Sequence, residues 1–274
     1  MNKNNNKKSI FPSAHDDLQE AKLNQLTHSS YSLAYADDDF LLRDELRAVR
    51  LQLEWLKPDM ILQEHDIHST VVIFGGARFS DPEKCHESDP SKQAKCLENS
   101  RYYPIARTLA QRITELSLEH KGQEYVIVTG GGPGIMEAAN RGATDVGGKS
   151  VGLNIVLPKE QQPNPYITPE LCFQFHYFAM RKMHFLKRAC GLVAFPGGFG
   201  TLDELFETLT LIQTKKIKPV PVILINKSYW QNLINFDFLV EQGAICPEDA
   251  KLISWAETAE EAYGLLDQHW REQH

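Results

Sequence analysis

GLVAFPGGFGTLDELFETL, residues 191–209, decides the fold. Residues 191–195 are a short apolar run, the length of a strand buried on both faces. Pro196-Gly197-Gly198-Phe199-Gly200 stops that run, and from Leu202 to about residue 215 the apolar positions recur at helical spacing. A strand that passes through a glycine turn into an amphipathic helix is the repeating unit of a parallel sheet covered by helices. YVIVTGGGPGIMEAANRGA, residues 125–143, has the same order: apolar run, Gly130-Gly131-Gly132-Pro133-Gly134, then a helical pattern over 135–146.

Working outward, further apolar runs are expected to be strands: TVVIF over 70–74 before Gly75-Gly76, then 151–155, 173–175 and 221–225. Helical patterns fall between and after them, over 102–118, 179–189, 230–241 and 259–268. The polar stretch 80–100, with turns at Asp81-Pro82 and Asp89-Pro90, reads as a loop or insertion. The alternation predicts an α/β, Rossmann-like doubly wound parallel sheet with an N-terminal helical extension. Residues 1–36 are expected to be a disordered or loosely ordered tail, 37–68 the extension, and 69–274 a nucleotide-binding catalytic domain. Within the extension, Leu42, Leu46, Val49, Leu53 and Leu56 share one face of a helix over 40–57, which Pro58 is expected to end. That stripe reads first as a core-packed face and second as a helix given to a dimer interface.

The chain has 274 residues, 42% apolar and 24% charged, with a net charge of −7, as in ordinary globular domains. The acidic balance argues against nucleic acid as a partner, which calls for a basic face. No apolar run reaches the roughly 18 residues of a membrane span, and the polar N-terminal residues do not read as a secretory signal. A cytoplasmic protein is expected. Its five cysteines fit a reducing compartment, with Cys172 and Cys190 packing as small hydrophobes and a Cys85–Cys96 bridge left open. No metal is expected, because His65 and His68 are too few for a site and no paired CxxC occurs. No cofactor is expected either.

The chemistry concentrates in the two glycine loops. Glycine lets a ligand approach the backbone without a Cβ in the way, and the helix that follows offers free N–H groups and a positive dipole end to a phosphate. Tight turns alone also require glycine, so it is the pair of loops that points to a phosphorylated ligand. Neither loop is the dinucleotide GxGxxG. Gly148-Lys149-Ser150 lacks the earlier glycine of a Walker loop, with Ala143 in its place.

Pro196-Gly197-Gly198-Phe199-Gly200-Thr201-Leu202-Asp203-Glu204 resembles the PGGxGTxxE motif of the Lonely Guy (LOG) family of phosphoribohydrolases. Residues 130–143 are similar to that family's second glycine-rich segment, and Arg181-Lys182 to its Arg-Lys pair. The resemblance runs from about 69 to 225. It implies a Rossmann-like fold, homodimers or larger assemblies, and cleavage of the N-glycosidic bond of AMP or a cytokinin ribotide. The N-terminal extension departs from the smallest members, and GGPGIMEAAN departs from the GLMG type of plant enzymes, which bears on cytokinin specificity. Members are often labelled lysine decarboxylases, yet no recognisable pyridoxal lysine is present here.

Two roles are open to Glu204. As a carboxylate it can stabilise the positive charge that develops on a ribosyl group and orient water. As the last residue of Thr201-Leu202-Asp203-Glu204 it can complete a capping box. The resemblance favours catalysis, with Arg181 as partner. Arg181 and Lys182 lie early in a helix, where the dipole disfavours cations unless an anion is near. The expected substrate-binding set is Lys182, Gly197, Gly198, Gly200 and Thr201, with Gly131, Gly132, Gly134 and Glu137 closing the other side. A non-catalytic carrier of a nucleotide or molybdopterin-type cofactor is the alternative on the same fold, and it would not need the Glu204 carboxylate. A nucleotide-sensing regulatory module is a third.

Overall fold

A computed structural model of the chain describes residues 11–23, 29–86, 89–158 and 162–273. Residues 1–10 and 24–28 of the expected tail lie outside the described residues. The chain divides into two compact units, Met1–Glu54 and Trp55–His274.

The first unit holds helices α1 (Ala14–Leu23) and α2 (Asp38–Leu41) and the start of α3 (Arg47–Glu64). Asp37 caps α2 by accepting the Phe40 N–H at 3.0 Å. Arg50 Nη1 donates to the carbonyls of Leu41 and Arg43 at 2.7 and 2.6 Å. Two expectations are corrected here. The helix expected over 40–57 is interrupted, because Arg43 is extended, and it runs on through Pro58 to Glu64. The proline removes one backbone N–H, but burial of Pro58 and Leu62 holds the helix across that gap. The leucine stripe is not a core face either: Leu42, Val49, Leu53 and Leu56 are exposed, and Leu46 is half-buried.

In the second unit, among the described residues, seven strands form one sheet: β1 (Thr70–Phe74), β2 (Val126–Thr129), β3 (Ser150–Ile155), β4 (Cys172–Phe175), β5 (Ala189–Ala194), β6 (Val222–Ile225) and β7 (Ile253–Ala256). Their spatial order is β4-β3-β2-β1-β5-β6-β7, and every pairing is parallel. The helices are α4 (Pro90–Ser100), α5 (Tyr102–Glu119), α6 (Ile135–Asp145), α7 (Phe178–Lys187), α8 (Phe199–Gln213), α9 (Lys227–Leu233), α10 (Phe236–Glu241), α11 (Pro247–Ala250) and α12 (Ala259–Gln273). Alternate strand residues face opposite layers. Val71, Ile73, Ile127 and Val193 pack with Leu109, Ile113, Ala138 and Leu266 from α5, α6 and α12. Val72, Phe74, Val128 and Leu192 pack with Phe185, Leu205 and Trp230 from α7, α8 and α9. The apolar runs are continuous rather than alternating because both faces of each strand are covered.

The chain winds outward from β1 to β4, then crosses back to place β5 on the other side of β1. The crevice between the carboxyl ends of β1 and β5 is therefore the switch point of the sheet, where open α/β folds bind ligands. Three further departures from expectation follow from local chemistry. The segment 80–100 is not all loop: α4 is capped by the Asp89 side chain, and a Cys85–Cys96 disulfide with Cα atoms 5.8 Å apart staples it to the preceding turn. The helix expected over 230–241 is two helices, since Asn235 caps α10 by accepting the Phe238 N–H at 3.0 Å. Strand β7 falls outside the expected runs, because Ser254 interrupts the apolar pattern of its ISWA.

Candidate functional site

At the switch point, β5 ends at Ala194 and leads through Phe195 and Pro196 to α8, which starts at Phe199 with Gly198 as its N-cap. The start lies three residues ahead of Leu202, which corrects the capping-box reading: no side chain caps α8, and Thr201 and Glu204 both lie inside it. Glycine is required at this turn in two different ways. A Cβ on Gly197 would overlap the Thr201 hydroxyl, so Gly197 is a packing requirement. Gly198 and Gly200 have open space where a Cβ would be. They leave the first amides of α8 approachable, and those amides and the helix dipole form a natural seat for an anion. The Tyr229 hydroxyl holds the loop from outside, donating to the Gly197 carbonyl at 2.8 Å.

A cavity of about 240 Å³ opens here, lined by the β1 end (Gly75, Gly76, Ala77), by Met136 and Phe178, and by Arg181, Gly198, Gly200, Thr201, Asp203 and Glu204. Glu204 lies one turn into α8 and is only 7% exposed. Among the described residues no side chain hydrogen-bonds or ion-pairs with its carboxylate, so its one polar outlook is the cavity. Burial pushes its pKa up to about 7, against the pull of Arg181 and Lys182; Glu207 and Asp203 add to the rise. Arg181, from α7, is half-buried. Its Nε donates to the Leu153 carbonyl at 2.8 Å, and its guanidinium stands 5.1 Å from the Phe185 ring centroid. Burial lowers the Arg181 pKa and the field of Glu204 raises it again. A buried carboxylate and a half-buried guanidinium thus share one cavity without being locked together in an ion pair.

The other expected residues fall in several places. Gly131 and Gly134 both have positive φ, +74° and +70°, and shape the loop after β2 rather than lining the cavity. A Cβ on Gly134 would stand 2.5 Å from the Gly76 carbonyl, so this close approach seats the loop beneath the end of β1. The Gly132 carbonyl accepts a hydrogen bond from Asn164 at 3.1 Å. Glu137 is buried away from the cavity, bonded to Lys84 Nζ at 2.5 Å and to the Tyr103 hydroxyl at 3.1 Å. Lys182 also points elsewhere, reaching Asp203 at 2.7 Å and Glu207 at 3.3 Å, and so ties α7 to α8. Sequence reading does not mark Phe74, Gly75, Gly76, Ala77, Met136, Phe178 or Asp203 as lining residues. Gly75-Gly76 at the end of β1 was a visible signal, but without the strand order it marked only a strand end.

This fold and site define an α/β protein whose switch-point cavity places a helix N-terminus beside a buried carboxylate. Residues 136–266 match the family model described as "Possible lysine decarboxylase". No lysine lines the cavity among the described residues. The "Cytokinin riboside 5'-monophosphate phosphoribohydrolase LOG3" of Arabidopsis thaliana is 32% identical over 177 residues, 63% of this chain and 77% of that protein. The "Cytokinin riboside 5'-monophosphate phosphoribohydrolase LOG1" of the same plant is 33% identical over 161 residues, 57% of this chain and 73% of that protein. The chain belongs to this LOG family. Among solved structures, the molybdenum cofactor carrier protein of Chlamydomonas reinhardtii aligns with TM-score 0.50 at 17% identity, covering 74% of this chain and 98% of that one, a likeness of fold alone. Among the described residues no helix is long and apolar enough to cross a membrane, and no cluster of candidate metal ligands occurs.

Proposed function

We propose that the chain hydrolyses the N-glycosidic bond of a purine nucleoside 5′-monophosphate, AMP first among the candidates, to the free base and ribose 5-phosphate. The observation that carries this reading is the buried Glu204 carboxylate, without a side-chain partner among the described residues, in the same cavity as the N-terminus of α8. The 5′-phosphate sits on the α8 amides at Gly198, Gly200 and Thr201. As the C–N bond lengthens, positive charge develops on the ribosyl ring, and the ionised Glu204 stabilises it. A pKa near 7 suits the same group to take a proton from the attacking water at neutral pH. The water oxygen bonds to the ribosyl carbon as the C–N bond breaks, and the departing base takes up a proton from solvent while Glu204 returns its own. Arg181 orients Glu204 and a ribose or phosphate oxygen through its planar fork. Lys182 supports the site by holding Asp203 and Glu207 rather than by touching substrate. The family membership supports a ribotide substrate; cytokinin ribotides are the second candidates. The same reading carries a homodimer or larger assembly.

Anchoring the remote phosphate supplies binding energy that positions the sugar. AMP is therefore expected to be cleaved and adenosine, lacking the phosphate, to be a very poor substrate. Free adenine is followed by chromatography for the purified protein and its Glu204→Gln variant. Release by the wild type and its loss in a folded variant support the reading. Equal turnover of adenosine and AMP, or unchanged release by the variant, refutes it.

A further inference from the structure

Behind the first glycine loop lies a buried amide network that the reaction as described does not use. Asn164 sits between Pro163 and Pro165, which restrict the backbone on both sides. Its own N–H donates to the Gly131 carbonyl at 2.9 Å. Its side-chain Nδ2 faces three acceptors: the Gly131 carbonyl at 3.2 Å, the Gly132 carbonyl at 3.1 Å and Asn140 Oδ1 at 2.9 Å. Its Oδ1 accepts the Tyr166 N–H at 3.2 Å. Asn140 in turn accepts from the Thr129 hydroxyl at 2.7 Å and donates to Ser150 Oγ at 3.0 Å. Thr129 Oγ1 closes the ring by accepting the Gly131 N–H at 3.0 Å. Asn164 and Asn140 are both buried, so each bond lost leaves a polar group stranded away from water.

The opposite side of this loop carries the site. A Cβ on Gly130 would stand 2.5 Å from Arg181 Nη2 and 2.9 Å from the Met136 sulfur, so the guanidinium rests directly on the bare backbone of Gly130. Arg181 is thus enclosed between the Leu153 carbonyl and a loop whose carbonyls are drawn to the other side by Asn164.

We propose that Asn164 is a positioning residue of the hydrolytic site, fixing loop 130–134 so that the Arg181 guanidinium is held beside Glu204. The inference rests on the hydrolase reading for its kinetic consequence, but not for its structural one. Misplacing a catalytic group by about 1 Å can cost up to about 100-fold in rate. Asn164→Asp is nearly isosteric and keeps the acceptor for Tyr166, but turns an anionic oxygen toward three acceptor oxygens. Asn164→Ala removes the clip without adding charge and serves if the Asp variant does not fold.

Both variants are expected to lose roughly 10- to 100-fold in kcat for adenine release from AMP, with a smaller change in KM because the α8 amides are untouched. The low-pH limb of kcat should also move upward as Arg181 withdraws from Glu204, which mere loosening of the fold would not produce. A second readout needs no activity. In protein labelled with 15N-arginine, the Arg181 Nε–H is assigned by its disappearance in Arg181→Lys, and its hydrogen exchange is measured. Faster exchange in a folded Asn164→Ala protein supports the positioning role. Unchanged exchange, or an unchanged pH limb, overturns it. Absence of base release from every ribotide by the wild type would sink the hydrolase reading alone, and the exchange measurement would still decide whether Asn164 positions Arg181.

Discussion

Replacing Glu204 by glutamine should stabilise the protein at pH 8 while abolishing its activity. Glutamine has the shape of protonated glutamate and none of its charge. The folded-state pKa of Glu204 is about 7, against an ordinary 4.5, chiefly because burial penalises the carboxylate. That value already includes the attraction of Arg181 and Lys182 on α7 and the repulsion of Glu207 and Asp203 on α8, so it is a net effect. The sign follows from proton binding. Between pH 4.5 and about 7 the folded state keeps a proton that the unfolded state has lost, so wild-type stability falls across this window and levels off above it. At about 1.4 kcal/mol per pH unit, the full penalty is roughly 3 kcal/mol, a ceiling because the cavity admits water. Urea denaturation of both proteins at pH 4, 6 and 8 measures it, each pH value being about one step through that window. The curves should nearly coincide at the lowest pH and separate by up to about 3 kcal/mol at the highest, the variant being the more stable. In the wild type, kcat should fall about tenfold for each pH unit below 7 as the carboxylate is protonated. A variant less stable than the wild type at pH 8 would refute the reasoning, since it would mean that the fold itself holds the carboxylate. So would a flat rate profile across the same window.

Two other outcomes are expected. Gly200→Ala places a methyl in open space within the first turn of α8, so it should leave the fold intact or stabilise it by up to about 1 kcal/mol. It should nevertheless raise the KM for AMP by crowding the amide seat; an unchanged KM would move the phosphate elsewhere. Thiol titration under denaturing, non-reducing conditions should count the free Cys172, Cys190 and Cys246 only, with Cys85 and Cys96 appearing after reduction. Five reactive thiols before reduction would contradict the disulfide.

Much of this protein was legible in residue order alone. TVVIF, VIVT and GLVAF are continuous β-branched or apolar runs, and only a strand buried on both faces calls for them. Each is followed by glycine where a strand must turn tightly into a helix, so fold class and the location of the site at strand ends came from local chemistry. Arg181 and Glu204 each had a plain structural reading on residue type alone, and it was the resemblance of the PGGFGTLDE stretch to a family motif that favoured them for the site. The tertiary structure decided the rest. β5 lies against β1 instead of continuing beyond β4, and only this brings Gly75-Gly76 opposite Gly197-Gly198. The start of α8 depended on whether Gly198 or Thr201 served as N-cap, and packing of Thr201 against Gly197 settled it by placing Thr201 inside the helix. Glu137 and Lys182 belong to the expected substrate-binding set, yet Lys84 and Tyr103 hold the first, and Asp203 and Glu207 hold the second. Which partner a charged side chain finds depends on neighbours tens of residues away, and no local pattern carries that information.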